Sequence, residues 1–515
     1  MTRCSRRALI RGAALLPLVA TVADGLGGAR PDRYFPRHGT YAHDTVSYDL
    51  HLSYRPADGS LDGRARIEAV ANEPLNRVEL DLSRLSAHTA RIDGTRVRAR
   101  QNNGKLYLDT PHPLATGTRF TVDVGYRGRP RPVRSPFGPI GWDRTGDPHD
   151  GTMVASQPLG APSWFPCNDR PDDKAAFTFR ITVPHGQHAL ANGTLLERRR
   201  SGHRECWTYH HPGPMAPYLA ALYTGRFRHD SGTAHLGPEH PSIALHNSYP
   251  SWMAEDAAHD LARQPEMLRA FSGHFGRYPF EAYGAVVVDA ELAAPVENQT
   301  RSVFGSNHID GERGAETLVA HEIAHQWYGN SVSLRDWRDI WLNEGFATYA
   351  EWLWSEHIGE DSADEIARRE WRSLRDRPQD LRVADPGQRR IFDDRVYVRG
   401  ACALHALRRS VGDSRFFAVL RGWHGEHRGG SANTAAFLAH AERCAGPVRP
   451  LLHNWLYESR CQLWRSENPV PRWRTADPPA TEDGPVSPGA APSAPRPSAG
   501  PAVRRGRAAP ARTPR

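Results

Sequence analysis

The stretch that decides the fold of this chain is LVAHEIAHQW, residues 318–327. It contains the pattern HExxH within a run of helix-forming residues. Residues i and i+4 of a helix share one face, so His321 and His325 can bind one metal ion while Glu322 projects beside it. The pattern therefore predicts a metal site on a helix, with a catalytic domain built around that helix.

A second stretch, WLNEGFA at residues 341–347, supplies a third ligand for the same metal. Eighteen residues separate His325 from Glu344, and Asn343 is a candidate cap for the helix that carries this glutamate. Two neutral imidazoles and one carboxylate leave the fourth position of a tetrahedral zinc open for water, as a catalytic site requires. We therefore expect one zinc per chain, bound by His321, His325 and Glu344. The alternative is a helix with two partly exposed histidines and an unrelated acidic residue.

These two segments and their spacing resemble the signature of the aminopeptidase N family of gluzincin zinc metallopeptidases. The resemblance extends over residues 40–465 and includes FGRYPF at 275–280, VYVRG at 396–400 and NWLY at 454–457. It implies an aminopeptidase, a hydrolase that removes N-terminal residues from peptides. Many relatives continue into a large helical domain, so we expect a short, secreted member with a more open cleft.

Two further residues are assigned to the chemistry. Glu322 is placed to take a proton from the attacking water and deliver it to the leaving amine. The resemblance implies that Tyr397, in VYVRG, donates a hydrogen bond to the developing oxyanion. A lone tyrosine is more often a core residue, so this second assignment rests on the motif.

An aminopeptidase must also bind the free α-ammonium group of its substrate, which requires oxygen ligands at one end of the cleft. The family uses the pattern GxMEN, and the matching segment here is APVEN at 294–298, which lacks the glycine and the methionine. The resemblance implies that Glu297 anchors the ammonium, with Asn298 beside it. It implies a second anchor at Gln157, whereas Leu159 stands where the family often has an acidic or amide side chain.

The hydrophobic pattern changes along the chain. Short segments alternate with period 2 from about residue 45 to 230; in 177–183, for example, every second residue is apolar. Helical spacing follows from about residue 253. We predict an α+β protein with an export signal (1–29), an N-terminal β-sandwich-like domain (30–235), a mainly helical thermolysin-like zinc domain (236–465) and a disordered Pro/Ala/Arg-rich tail (466–515).

Charge and leader composition limit the partners and the location. The formal net charge of +8 comes from the two ends of the chain, and residues 24–465 are neutral, so nucleic-acid binding is not expected. Arg6 and Arg7 precede a short apolar stretch at 12–23, which resembles a twin-arginine export signal and predicts an extracytoplasmic protein. The alternative is a disordered basic N-terminus. No other segment is long and apolar enough to span a membrane.

The leading hypothesis is a zinc aminopeptidase acting on peptides with free N-termini outside the cytoplasm. The alternatives are a metallo-endopeptidase with the same zinc site and an inactive zinc-binding peptide receptor; nucleic-acid binding through the Arg-rich tail is a weaker one. The sequence does not indicate the oligomeric state. Cys444 and Cys461, separated by a short segment, are the pair to test for a disulfide.

Overall fold

The computed structural model describes residues 31–146 and 151–461. The predicted export signal at 1–29 and the predicted tail at 466–515 lie outside the described residues. None of the described helices is long and apolar enough to cross a membrane.

Most of the strands lie in the first half of the described chain. The strands are β1 His43–Arg55, β2 Ser60–Ala71, β3 Leu75–Asp81, β4 Ser86–Ile92, β5 Thr95–Arg96, β6 Ala99–Asn102, β7 Lys105–Leu114, β8 Arg119–Gly128, β9 Val133–Ser135, β10 Gly138–Thr145, β11 Gly151–Ala155, β12 Ala175–Pro184, β13 His188–Ala191, β14 Thr194–Ser201, β15 Arg204–Met215, β16 Leu222–Gly225, β17 Phe227–Ala234, β18 Ile243–Pro250, β19 Ala282–Tyr283, β20 Ala285–Val288, β21 Ser302–Gly305, β22 Ser333–Leu334 and β23 Ser431–Ala432.

The N-terminal part is built from three sheets. The largest has eight strands in the order β14-β15-β12-β1-β2-β8-β4-β5, and smaller sheets are β3-β7-β6 and β13-β16-β11-β10-β9. In β12 the alternating residues Phe177, Phe179, Ile181 and Val183 are all fully buried. The period-2 pattern therefore corresponds to a strand with one face packed against the core, as predicted.

A fourth sheet is formed by strands that lie between residues 227 and 305. Its order is β17-β18-β20-β21, with β18, β20 and β21 parallel to one another and β17 antiparallel to β18. Its first strand begins at Phe227, upstream of residue 236, where the sequence placed the start of the catalytic domain. The helices are α1 Ala254–Asp260, α2 Gln264–Phe275, α3 Glu316–Ala324, α4 Trp341–His357, α5 Ala363–Arg375, α6 Asp394–Val411, α7 Asp413–His427, α8 Thr434–Ala445 and α9 Arg449–Leu456. This confirms the predicted α+β fold.

Helices α4 and α6 make an unusually close backbone contact next to the site. A methyl group placed on Gly345 would lie 2.9 Å from the Cα of Gly400 and 3.0 Å from its carbonyl carbon. Only glycine at both positions permits this approach. Glu344 and Tyr397 lie on these two helices, so the glycine pair sets the separation of a predicted metal ligand and a predicted oxyanion donor.

One local prediction is corrected, and one candidate cysteine pair is not bonded. Helix α4 begins at Trp341, so Asn343 lies inside its first turn, and no side chain caps its N-terminus. The five cysteines among the described residues are all free thiols. Cys444 is exposed, with its Sγ 3.7 Å from His440 Nε2, and forms no disulfide with Cys461.

Candidate active site

The three predicted metal ligands meet at one buried point. His321 lies in the last turn of α3 and His325 directly follows that helix, and His325 N donates to His321 O over 3.1 Å. Glu344 Oε2 lies 3.4 Å from His321 Nε2 and 3.3 Å from His325 Nε2. Ligand atoms at tetrahedral zinc, about 2.0–2.1 Å from the ion, stand about 3.3 Å from one another. These spacings fit zinc, and this is the only such group of three potential ligands in residues 31–146 and 151–461.

The outer nitrogen of each imidazole is bound by the protein. His321 Nδ1 lies 2.7 Å from Glu351 Oε1, and His325 Nδ1 lies 3.0 Å from the backbone oxygen of Tyr328. Since each Nδ1 donates its proton to an oxygen, each Nε2 keeps its lone pair for the metal. Sequence reasoning missed Glu351, although it lies seven residues after Glu344 on α4 and so shares its helix face.

The electrostatics of the group favour a cation. Burial raises the pKa of Glu344, but His325 and His321 outweigh burial and lower this pKa to about 2. Burial likewise lowers the pKa of His321, and the carboxylates of Glu344 and Glu351 outweigh it and raise that pKa well above its usual value. The carboxylates therefore favour positive charge at this point, and a zinc ion would supply that charge while each imidazole stays neutral.

Glu322 is buried beside the ligands with one oxygen available. Among the described side chains and backbone, no hydrogen-bond partner reaches its Oε2 atom. Burial raises the pKa of Glu322 to about 8, although His321 and His325 oppose this rise. A buried carboxylate oxygen without a protein partner is suited to bind a water and accept its proton.

Tyr397 reaches the site from α6. Its ring stacks on His321 with centroids 6.2 Å apart and an interplanar angle of 19°. Burial and the nearby carboxylates of Glu344, Glu297 and Glu322 raise the pKa of Tyr397 well above its usual value. The hydroxyl therefore stays protonated and remains a hydrogen-bond donor near the metal ligands.

The two predicted ammonium anchors are in direct contact. Gln157 Nε2 donates to Glu297 Oε1 over 2.7 Å and lies 3.5 Å from Glu344 Oε1. Glu297 is buried, and burial raises its pKa. The N-terminal domain thus places an amide, and the segment before β21 a carboxylate, within a few ångströms of a metal ligand.

Asn298 has a different set of contacts. Its Nδ2 donates to Val154 O over 3.2 Å and to Tyr223 OH over 2.7 Å. These bonds tie the segment that carries Glu297 to strands β11 and β16. Its contact with substrate stays a prediction.

The turn after α3 is bonded to the backbone of Glu297. Asn330 Nδ2 donates to Glu297 O over 2.6 Å. Lys174, from the N-terminal domain, donates through Nζ to Asn330 O (2.9 Å), Ser331 O (2.9 Å) and Gly430 O (3.2 Å). Burial lowers the pKa of Lys174 to about 7. No short-range pattern identifies Asn330 or Lys174, because their partners are distant in the chain.

A β-rich domain followed by helices that carry HExxH and a later glutamate ligand is the architecture of a gluzincin metallopeptidase. Comparison with protein families agrees: residues 44–219 match the Peptidase M1 N-terminal domain and residues 259–455 the Peptidase family M1 domain. The chain belongs to the M1 peptidase family.

Similar curated proteins are longer. A probable M1 family aminopeptidase 1 from Encephalitozoon cuniculi (strain GB-M1) is 25% identical over 489 residues, covering 87% of this chain and 54% of the relative. Aminopeptidase M1 from Arabidopsis thaliana is 26% identical over 337 residues, covering 61% of this chain and 37% of the relative. The chain thus spans about half the length of the first of these relatives, and less of the second.

Solved structures of similar length also match. A mutant M1 zinc metallopeptidase from Deinococcus radiodurans, bound to a Tyr-Ser-Ala substrate, is 31% identical with a TM-score of 0.77, and the match covers 85% of this chain and 98% of that one. Another structure of the Deinococcus radiodurans M1 zinc metallopeptidase is 30% identical with a TM-score of 0.75, over 87% and 99% of the two chains.

Proposed function

We propose that this chain is a zinc-dependent aminopeptidase that hydrolyses the N-terminal residue from peptides. The observation that carries the proposal is the 2.7 Å contact between Gln157 and Glu297, with Gln157 also 3.5 Å from the ligand Glu344. A buried carboxylate and an amide next to a catalytic metal form a binding site for an α-ammonium group. An endopeptidase does not need such a pair, because it cleaves an internal peptide bond, which has no α-ammonium group next to it.

Each site residue has a separate role in the proposed reaction. Bound zinc lowers the pKa of a water and polarises the scissile carbonyl. Glu322 Oε2 accepts the proton of the attacking water and returns it to the leaving amine. Tyr397 OH donates to the carbonyl oxygen as negative charge grows there. Glu297 binds the ammonium while Gln157, whose Nε2 is bonded to Glu297, offers its Oε1 as an acceptor.

The test is turnover of a panel of aminoacyl amides and matched peptides, with and without a chelator. We expect turnover of free N-termini, no turnover of N-acetylated peptides, and loss of activity on zinc removal. Glu297→Gln keeps the shape and removes the charge, so it is expected to weaken the preference for free over acetylated N-termini. Cleavage of acetylated peptides at comparable rates would identify an endopeptidase, and zinc binding without turnover would identify a receptor.

We also propose that the protein acts outside the cytoplasm after twin-arginine export. Arg6 and Arg7, placed before an apolar stretch, support this proposal. The Arg6→Lys, Arg7→Lys double variant is expected to remain in the cytoplasm. Unchanged secretion of the double variant would contradict this export route.

A further inference from the structure

A large cavity lies where the N-terminal segment 33–39 crosses the β domain. Its volume is about 1290 Å³, and its lining includes Leu159 and Gln388 as well as residues of the β domain. Cavities that take small molecules are usually about 300–1,000 Å³, so this one has room for several residues of a peptide.

Two lining residues of the cavity belong to segments that also lead to site residues. Leu159 lines it two residues after Gln157, whose amide binds Glu297. Gln388 lines it just upstream of α6, the helix that carries Tyr397. The cavity therefore shares two of its lining segments with the candidate active site.

The third wall, the N-terminal segment, is fastened to both loops that lead to site residues. Asp32 Oδ2 accepts from Trp337 N over 2.8 Å, just before α4 with its ligand Glu344. Tyr34 OH donates to Asp385 Oδ1 over 2.5 Å and accepts from Gly387 N over 2.8 Å. Tyr34 O accepts from Gln388 Nε2 over 2.6 Å. The cavity wall is thus fixed to the catalytic domain.

Some charged side chains in the cavity lining form ion pairs and others do not. In the lining, Lys105 Nζ pairs with Glu79 and Asp81, each over 2.8 Å, so one ammonium group is shared by two carboxylates. The rim carries Arg37 and Arg134, which are exposed. In the described part of the chain, neither arginine forms an ion pair with a carboxylate. The mouth of the cavity is therefore positively charged.

We propose that this cavity binds carboxylate side chains of an acidic segment in longer peptide substrates, beyond the residues held in the cleft; this rests on the proposed aminopeptidase function. The two rim arginines supply the charge, and Ser83, Asn102 and Asn103 in the lining supply polar groups for a peptide backbone. The chain's own residues 466–515 have eight arginines against four acids, the same sign as the rim, which favours a separate acidic partner.

The experiment measures kcat/KM at low ionic strength for peptides with an N-terminal Ala, a neutral spacer of varied length and either Glu-Glu or Gln-Gln. At the spacing that reaches the cavity, the Glu-Glu peptide is expected to be trimmed about fivefold to tenfold faster than its Gln-Gln match, a difference that disappears in about 0.5 M salt. The Arg37→Gln, Arg134→Gln double variant is expected to bring the ratio close to one. Arg119→Gln, an exposed arginine outside the cavity, is the matched control and keeps the ratio.

Equal rates on the two peptides at every spacing, or a ratio unchanged in the double variant, would overturn the proposal. An N-acetylated Glu-rich peptide is expected to compete with the Glu-Glu substrate, while acetate at the same carboxylate concentration is not; equal competition by acetate would mark a small-anion site and also overturn it. Turnover of aminoacyl amides is expected to be the same in all variants. Absence of any such turnover in the wild type would instead refute the proposed function.

Discussion

Replacing glycine by alanine is expected to have opposite effects on stability at two helical positions. One is Gly400, in the close contact between α4 and α6, and the other is Gly425, on α7. In Gly400→Ala the new methyl group meets the facing helix, because it would lie 2.9 Å from the Cα of Gly345. Carbon atoms without a bond between them prefer about 3.5–4.0 Å, so the helices must separate by roughly 0.5–1 Å. In Gly425→Ala, on the exposed face of α7, nothing lies within 4 Å of the new methyl group.

The expected magnitudes follow from these surroundings. Overpacking costs about 1–3 kcal/mol, so Gly400→Ala should lower the free energy of unfolding by that amount. Gly425→Ala should raise it by about 0.4–1 kcal/mol, because alanine restricts the unfolded chain. The separation of α4 from α6 also moves Tyr397 relative to Glu344, and a misplacement of about 1 Å can cost about 10²-fold in rate.

Chemical denaturation and kcat on an aminoacyl amide measure the two effects separately. We expect Gly400→Ala to lose both stability and kcat, and Gly425→Ala to gain stability at unchanged kcat. If Gly400→Ala had wild-type kcat with correct zinc content, the glycine pair would not set the geometry of Tyr397.

Four further outcomes are expected. Glu322→Gln should retain zinc, measured by metal analysis, and lose nearly all turnover; substantial residual activity would exclude Glu322 as the base. Tyr397→Phe should lower kcat by about 10² or more with little change in KM, and an effect confined to KM would contradict an oxyanion role. Glu351→Gln should weaken zinc affinity about 10- to 100-fold in a chelator competition, whereas an unchanged affinity would show that His321 is oriented without it. Burial lowers the pKa of Lys174 to about 7, so the unfolded chain binds more protons than the folded chain between pH 7 and 10. The free energy of unfolding should therefore rise with pH in that range by up to about 1.4 kcal/mol per pH unit. The Lys174→Met variant should lack this slope, and the same slope in both proteins would refute the lowered pKa of Lys174.

The sequence predicted those features that depend on local spacing. His321, Glu322 and His325 fall within one helical turn, so their mutual position follows from helix geometry alone. Glu344 could be added because its distance along the chain matches a known pattern, and the buried face of β12 follows from strict alternation. Tyr397, Glu297 and Gln157 were available only through the family resemblance, and the structure brings them to the metal ligands.

Features that depend on contacts between distant segments could not be predicted. The bond from Gln157 to Glu297 joins residues 140 positions apart, and Lys174 reaches Asn330 across 156 positions. Nothing local in either segment indicates the partner.

The three hydrogen bonds of Lys174 bear on how this protein can evolve and how it can be engineered. A gene fragment encoding only the catalytic half would leave the carbonyl groups of Asn330, Ser331 and Gly430 without their donor. The proposed ammonium anchor Glu297 would also lose Gln157. The two halves are therefore poor candidates for exchange between homologues, since each would arrive without the partner groups that the other supplies. Substitutions on either side of this junction are expected to persist only in matched pairs.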